Sequence, residues 1–335
     1  MNRFLGLPRD TLKLLFSNID INLTVSLIEA EYANTGRGRS RFPVRSMLLA
    51  LMFMRFEAIP SVRKLCRRLR NRQFAREICE FGEKTPDHTT FSKFITRAGP
   101  ETVEKLFLDF LFQAFKMGII DPSEAVMVCN DSTFMKAYSR RGKKGGISDR
   151  GARVGRADRR SYKLGWRAHT LVSMKALPIT YIVRAANVND KVLVKPLLRK
   201  ASRLLRLHGK RISHFIADSQ YYSEEVFKAI KRYGAEPVIP HSSKVKEPLI
   251  NLYVTKRFRV KGEKRLVELY KRRMAVERTF KASKLELSME KPKWRGVAKI
   301  RMHVAICFSC TLAVAIVAHK IGRPELANNI AAFTY

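Results

Sequence analysis

Two apolar runs in this 335-residue chain end in the same way. Ala125-Val-Met-Val-Cys-Asn-Asp131-Ser-Thr-Phe134 reads as a buried strand by its apolar run and β-branched content, closed by an acid and hydroxyls. Ile212-Ser-His-Phe-Ile-Ala-Asp218 is a second apolar strand that closes on an acid. Between them, residues 165–173 and 178–183 read as two strands joined by a short turn, and residues 191–207 as a helix. Beyond Asp218, Ser-Gln-Tyr221-Tyr222 turns into a helix over 223–232, and Pro237-Val-Ile-Pro240 makes a short fifth strand. This β-β-β-α-β-α-β-α order makes an α/β domain with a mixed sheet flanked by helices, and it is the order of a ribonuclease H-like domain. An acid that closes an apolar strand also serves as a helix cap or turn residue, so Asp131 by itself fixes no role. His169, on the second strand, reads as a structural histidine or as a polar neighbour of the acids.

Ahead of this domain the periodicity is helical from residue 12 to about 95, with breaks at 34–40 and 59–60. Pro43 opens an apolar helix over 44–56, and Ser61 caps a short helix carrying Val62, Leu65 and Leu69. Thr85-Pro86-Asp87 starts a helix over 88–95 whose outward residues are His88, Thr89, Ser92 and Lys93. Basic and hydroxyl residues there suit a helix-turn-helix-like DNA reader, and a bundle that merely packs is the alternative. A helix over 102–117, then Gly118 and Asp121-Pro122-Ser123, mark a boundary. The expected division is a helical DNA-binding domain over 1–120, the α/β domain over 121–322, and a tail over 323–335.

Lys and Arg number 66 against 29 Asp and Glu, a net charge of +37 and a pI near 10.5. A hydrophobic content of 46% with 20 Phe excludes a disordered polycation. A folded chain with that charge repels itself unless a polyanion partners it, and nucleic acid is that partner. The basic residues are spread along the chain and not gathered on one amphipathic helix, which argues against a membrane surface. Residues 136–167 carry twelve basic side chains and six glycines, a composition that follows a phosphate backbone closely, without a nucleotide-binding pattern. The five cysteines, Cys66, Cys79, Cys129, Cys307 and Cys310, are scattered in apolar settings and read as reduced core thiols. Cys307-x-x-Cys310 lies in the apolar stretch 304–318, read as a buried helix too short to span a membrane. No secretory signal is read at the N-terminus, so the expected location is the cytoplasm, at the nucleoid.

Nothing over residues 266–289 is Gly or Pro, so the segment reads as one unbroken helix. At about 100° per residue, Tyr270, Arg273, Glu277 and Lys284 fall within about 60° of one another, and Lys281 joins them. Six of the residues from 271 to 284 are basic while Glu277 is the single acid, a face that repels itself unless something anionic lies on it. The bland alternative is a solvated helix with ordinary ion pairs. Tyr270-x2-Arg273-x3-Glu277-x6-Lys284 resembles, without a gap, the signature of the third catalytic acid in prokaryotic insertion-sequence transposases of the DDE type. Asn130-Asp131-Ser132-Thr133 and Ala217-Asp218-x2-Tyr221 are similar to the elements that carry the first two acids, at separations of 87 and 59 residues. Pro43-x3-Met47-Leu48, Ser61-x3-Leu65 and Pro86-Asp87-His88-Thr89-Thr90-Phe91-Ser92 resemble the helical domain that precedes them.

Phosphodiester cleavage at neutral pH needs charge neutralised on the phosphate and an activated oxygen, and two hard divalent ions held by a few carboxylates supply both. The resemblance implies that Asp131, Asp218 and Glu277 are catalytic and hold two Mg²⁺ ions, with Mn²⁺ able to substitute. It implies that Tyr270, Arg273, Lys281 and Lys284 bind DNA, that the partners are double-stranded element ends and target, and that a homodimer pairs the ends. The implied reaction cuts DNA at the ends of a mobile element and joins the freed 3′ hydroxyl to a target. The competing readings are a ribonuclease H-like nuclease without strand transfer and a basic DNA- or RNA-binding protein with no turnover. Some relatives carry a large all-β insertion between the second and third acids, for which only about 240–264 is available here.

Overall fold

The computed structural model describes residues 10–32, 41–120, 127–139, 146–158, 160–242, 245–255 and 259–334. The break at 34–40, the boundary residues 121–123 and the middle of the basic glycine-rich stretch lie outside these. The chain forms two compact units, one of 1–119, 135–152 and 282–335, the other of 120–134 and 153–281.

The first unit begins with α1 (Thr11–Ser17), α2 (Asn22–Tyr32), α3 (Val44–Phe56), α4 (Val62–Asn71), α5 (Gln73–Ile78) and α6 (His88–Lys116). Local chemistry sets their starts. Ser61 accepts from the Lys64 amide at 3.3 Å to cap α4, and Asp87 accepts from the Thr90 amide at 2.6 Å to cap α6. Hydrogen bonds from Thr90, and from the Thr89 hydroxyl, bring the Asp87 carboxyl down to about 2. Gly99, at φ 68°, breaks α6 before Pro100 restarts it, since a left-handed residue suits glycine and proline suits a first helical position. His88, Thr89, Ser92 and Lys93 are exposed on the first half of α6.

The second unit is built on a sheet in the order β2-β3-β1-β5-β6, with β4 also paired to β3. Its strands are β1 (Met127–Lys136), β2 (Arg153–Arg156), β3 (Tyr162–Val172), β4 (Pro178–Ala185), β5 (His214–Ile216) and β6 (Glu236–Val238). β1, β5 and β6 run parallel, while β2 and β4 are antiparallel to β3. The amphipathic α7 (Val194–Arg206) and α8 (Glu224–Arg232) are the crossovers that parallel strands require. The mixed α/β class therefore holds.

Three features depart from the sequence reading. β2 sits in the basic, glycine-rich stretch 136–167, where no strand was read. There Gly155 passes so close to Ala186 that an added Cβ would lie 2.1 Å from its carbonyl oxygen, so packing against β4 is open to glycine. A three-stranded sheet, β7 (His241–Ser242), β8 (Leu252–Val254) and β9 (Val260–Gly262), fills the segment between the second and third acids. The helix over 266–289 is two helices, α9 (Lys264–Lys271) and α10 (Met274–Leu285). Between them the amides of Arg272, Arg273, Ala275 and Val276 each bond to the carbonyl three residues back, so the winding tightens where three consecutive cations, Lys271, Arg272 and Arg273, crowd one turn.

The chain then returns to the first unit with α11 (Val297–Lys320), which packs on α6. All of α3 but Arg45, and α11 from Met302 to Ala318, are buried, so these helices are apolar nearly all round. Phe107 and Phe308 set their rings 6.3 Å apart, and Phe16 meets Phe53 and Phe56 edge to face. α11 is long and apolar enough to cross a membrane, and 94% of its most apolar window is buried inside this protein. Arg55 donates to His303 Nδ1 at 3.2 Å within this core, so Nε2 carries the proton toward the Met289 carbonyl at 3.1 Å. Burial pushes that imidazole down to about 3 and the Cys307 thiol up to about 12, and both are neutral.

Phe308→Ala empties a fully buried site between α6 and α11 and should cost about 3–5 kcal/mol in urea or thermal unfolding. An unchanged unfolding midpoint would contradict the core placement of α11.

Candidate active site

The sheet itself brings two acids together. β1 and β5 are parallel with Met127 opposite His214, Val128 opposite Phe215 and Cys129 opposite Ile216. Carried two residues further, that register sets Asp131 opposite Asp218 on one face, where neighbouring strands are about 5 Å apart. β5 stops at Ile216, but β1 runs on to Lys136, so Asp131 lies within its strand and not at the strand end that the sequence predicted. Asp131 Oδ1 accepts from the Ser132 amide at 2.7 Å, and Asp218 Oδ1 accepts from the Gln220 amide at 2.9 Å to start the 3₁₀ turn Ser219–Tyr221. The loop after the carboxyl ends of parallel strands is where open α/β sheets bind ligands.

Burial dominates the electrostatics of this pair. It pushes the Asp131 carboxyl up to about 6, helped by the negative charges of Asp218 and Asp190 and opposed by the Ser132 amide and Arg273. Asp218 is raised for the same first reason, with its amide bonds and Arg273 pulling the other way. Both carboxyls thus need more positive charge than Arg273 gives them.

α10 turns Ala275, Val276, Thr279, Phe280 and Ser283 inward, and Thr279 Oγ1 donates to the Ala176 carbonyl at 2.6 Å at the β3–β4 turn. That anchoring leaves Glu277 on the partly exposed side. Arg273 pairs with Glu277 and lies 3.7 Å from Asp131 Oδ2, so the guanidinium stands between the third acid and the first. Tyr270, with its ring 5.9 Å from the Arg273 guanidinium carbon, completes the group, and burial raises its phenol. Tyr270, Arg273, Glu277, Asp131 and Asp218 are therefore brought together. Lys281 is exposed on α10, and Lys284, which belongs to the first unit, pairs with Glu290 at 2.9 Å.

A divalent metal fits this donor set in part. Two hard carboxylates that burial keeps short of counter-charge are the ligands that Mg²⁺ or Mn²⁺ takes. Among the described residues, however, no three His, Cys, Asp or Glu side chains converge into a group that could hold a metal, and Glu277 is engaged by Arg273.

The sequence reading missed Asp190 and Arg167. Asp190 Oδ2 accepts from Ser132 Oγ and from Arg167 Nη1, each at 3.0 Å. The one local signal was an acid next to Asn189 in the connection between β4 and α7, which reads first as a turn. His169 is buried beside them with Nδ1 3.4 Å from Asp190, and burial pushes its imidazole down to about 4.

Residues 122–313 match the family described as "Transposase DDE domain", and residues 2–97 match "Transposase domain (DUF772)". The chain belongs to the DDE-domain transposases. Its fold is similar to that of the piggyBac transposase in a synaptic complex with hairpin DNA, at a TM-score of 0.50 and 13% identity over 99% of this chain and 82% of that one. The Mos1 transposase paired-end complex with left transposon end aligns at a TM-score of 0.24 and 12% identity, over 66% of this chain and 68% of the other. No curated protein matches it. Membership makes this a DNA transposase by family, and the register of β1 and β5 brings Asp131 and Asp218 of this DDE-domain chain together.

The elevated Asp131 carboxyl has a measurable consequence. The folded protein holds that proton up to about pH 6, while an unfolded chain releases it at 3.8. Between those values the folded state binds more protons and loses stability as pH rises. Asp131→Asn removes the loss, so without divalent ions at pH 7 the variant should be more stable than the wild type by up to about 3 kcal/mol, the gap closing below pH 4. Equal stabilities at pH 7 would show that Asp131 is not desolvated.

Proposed function

We propose that this transposase binds the ends of an insertion sequence, cleaves the DNA by metal-dependent phosphodiester hydrolysis and joins the freed 3′ hydroxyl to target DNA. The observation that carries it is the strand register that brings Asp131 beside Asp218, with Glu277 on α10 and Arg273 in the turn before it at the same corner. In this reading the mixed sheet is ribonuclease H-like and Asp131, Asp218 and Glu277 are catalytic. Those three acids would hold two Mg²⁺ ions, or Mn²⁺ in their place. The ions, when bound, polarise the phosphate and lower the pKa of a bound water.

The chain's own residues do the rest. The amides of Ser132 and Gln220 hold the carboxylates of Asp131 and Asp218 in place, each through its Oδ1. Arg273, already at the acids, offers a forked donor to a phosphate brought to the site, and Tyr270 backs its guanidinium. Tyr270, Arg273, Lys281 and Lys284 bind the element end, and the helical N-terminal residues with exposed His88, Thr89, Ser92 and Lys93 bind the duplex. The +37 charge supplies the sequence-independent part of DNA affinity. Two ends are paired in a homodimer, and the protein works on the nucleoid in a prokaryotic cytoplasm. The competing reading is a DNA-binding protein without turnover, and the engagement of Glu277 by Arg273 is the observation on its side.

The test is cleavage and joining of a labelled duplex that bears the ends of the protein's own element, with Mg²⁺ or with EDTA. The wild type should nick and join with Mg²⁺ and do neither with EDTA. Glu277→Ala should still bind while its product falls at least about a hundredfold. Nicking without joined product would make it a nuclease, and binding without either would make it a non-catalytic DNA-binding protein.

A further inference from the structure

We propose that Asp190 is a positioning residue of the cleavage site, a fourth carboxylate that cancels the charge of Arg167 next to Asp131 and holds the Asp131-Ser132 peptide in place. The inference rests on the metal-dependent reading of Asp131 and Asp218 given above.

Asp190 opens the 3₁₀ turn Asp190–Leu193 that leads into α7, a place where an acid commonly caps or complements a helix start. That task is already taken, because Asn189 Oδ1 accepts from the Lys191 amide at 3.0 Å. The Asp190 carboxylate turns back to the sheet instead. It accepts from Ser132 Oγ at 3.0 Å on β1 and from Arg167 Nη1 at 3.0 and 3.2 Å on β3. The other end of the guanidinium, Nη2, donates to the Arg156 carbonyl on β2 at 2.6 Å. Arg167 is thus fixed by acceptors on two sides, with its Nη1 also 3.4 Å from Ser132 Oγ.

The side chains of Asp190 and Arg167 are only 15% and 17% exposed, so either charge left without the other would stand largely desolvated. His169 does not serve as the counter-ion. It lies 3.4 Å from Asp190, yet neither of its ring nitrogens has a hydrogen-bond partner among the described residues. Ser132 is the link to the site, since its hydroxyl bonds Asp190 while its amide bonds Asp131 Oδ1. Without Asp190, a fixed cation would stand against the hydroxyl of the residue that orients Asp131. That cation would oppose the binding of divalent ions to Asp131 and Asp218.

The experiment is Mn²⁺ titration of the full DNA-free chain, with free Mn²⁺ followed by electron paramagnetic resonance and folding checked by circular dichroism. The variants are Asp190→Asn, Arg167→Gln, the double variant Asp190→Asn/Arg167→Gln, and Asp131→Asn. Asp190→Asn should weaken Mn²⁺ binding about 10–100-fold. The double variant should recover most of that loss, because removing the stranded cation restores the charge balance. Arg167→Gln by itself should bind Mn²⁺ no more weakly than the wild type, a result that stands even if Asp190→Asn fails to fold. A merely structural role predicts the reverse, with the double variant as weak as Asp190→Asn or weaker and Arg167→Gln also weakened, and that outcome overturns the proposal. Unchanged binding in Asp190→Asn overturns it too, while loss in Asp131→Asn leaves the metal reading standing. A wild type that binds no more Mn²⁺ than Asp131→Asn overturns both.

Discussion

Two carboxylates brought side by side by adjacent parallel strands repel each other and resist burial. β1 and β5, paired from Met127 and His214 to Cys129 and Ile216, lead Asp131 and Asp218 into that arrangement two residues beyond the last paired ones. The consequences spread outward. Burial pushes both carboxyls up, so the corner attracts cations, and Arg273 is the cation the chain supplies. Raised carboxyls of this kind gather at functional sites, and the proposed function gives these two a catalytic task. In a DDE transposase the fitting chemistry is that of a divalent ion and a phosphodiester.

The break between α9 and α10 gives Arg273 its place. In a single straight helix Tyr270, Arg273, Glu277 and Lys284 would form one stripe. The tightened turn at Arg272 and Arg273 ends that stripe, and Thr279 pins α10 by its bond to the Ala176 carbonyl. Arg273 is left able to reach back to Asp131 and forward to Glu277. A strongly basic chain thus directs one of its many cations at its small group of acids, while Asp190 and Arg167 cancel each other within hydrogen-bond reach of Ser132.

Much of this was legible in the residues. The apolar runs before Asp131 and Asp218, the hairpin of β3 and β4, the two crossover helices, and the caps at Ser61 and Asp87 follow from local patterns of period and polarity. What was not legible depended on distant partners. Arg153–Arg156 has the composition of a loop and becomes β2 because β3 offers an edge and Gly155 lets it pass Ala186. β7, β8 and β9 are two or three residues each, too short to show alternation. The break at Arg272 has no Gly or Pro to announce it. That α11 packs on α6 is a contact between segments far apart in sequence, which leaves no trace in either. Asp190 went unread because its partners, Ser132 and Arg167, are 58 and 23 residues away.

The claim at the centre is that Asp131, Asp218 and Glu277 converge on divalent metal when DNA is bound. The measurement that reaches it most directly is a crystal structure of the protein with element-end DNA and Mn²⁺, read by anomalous scattering at the manganese edge. The account predicts manganese peaks bounded by Asp131 and Asp218, with Glu277 turned to the metal and Arg273 on a phosphate. Manganese placed elsewhere, or Glu277 still paired with Arg273 beside a bound DNA end, would contradict it.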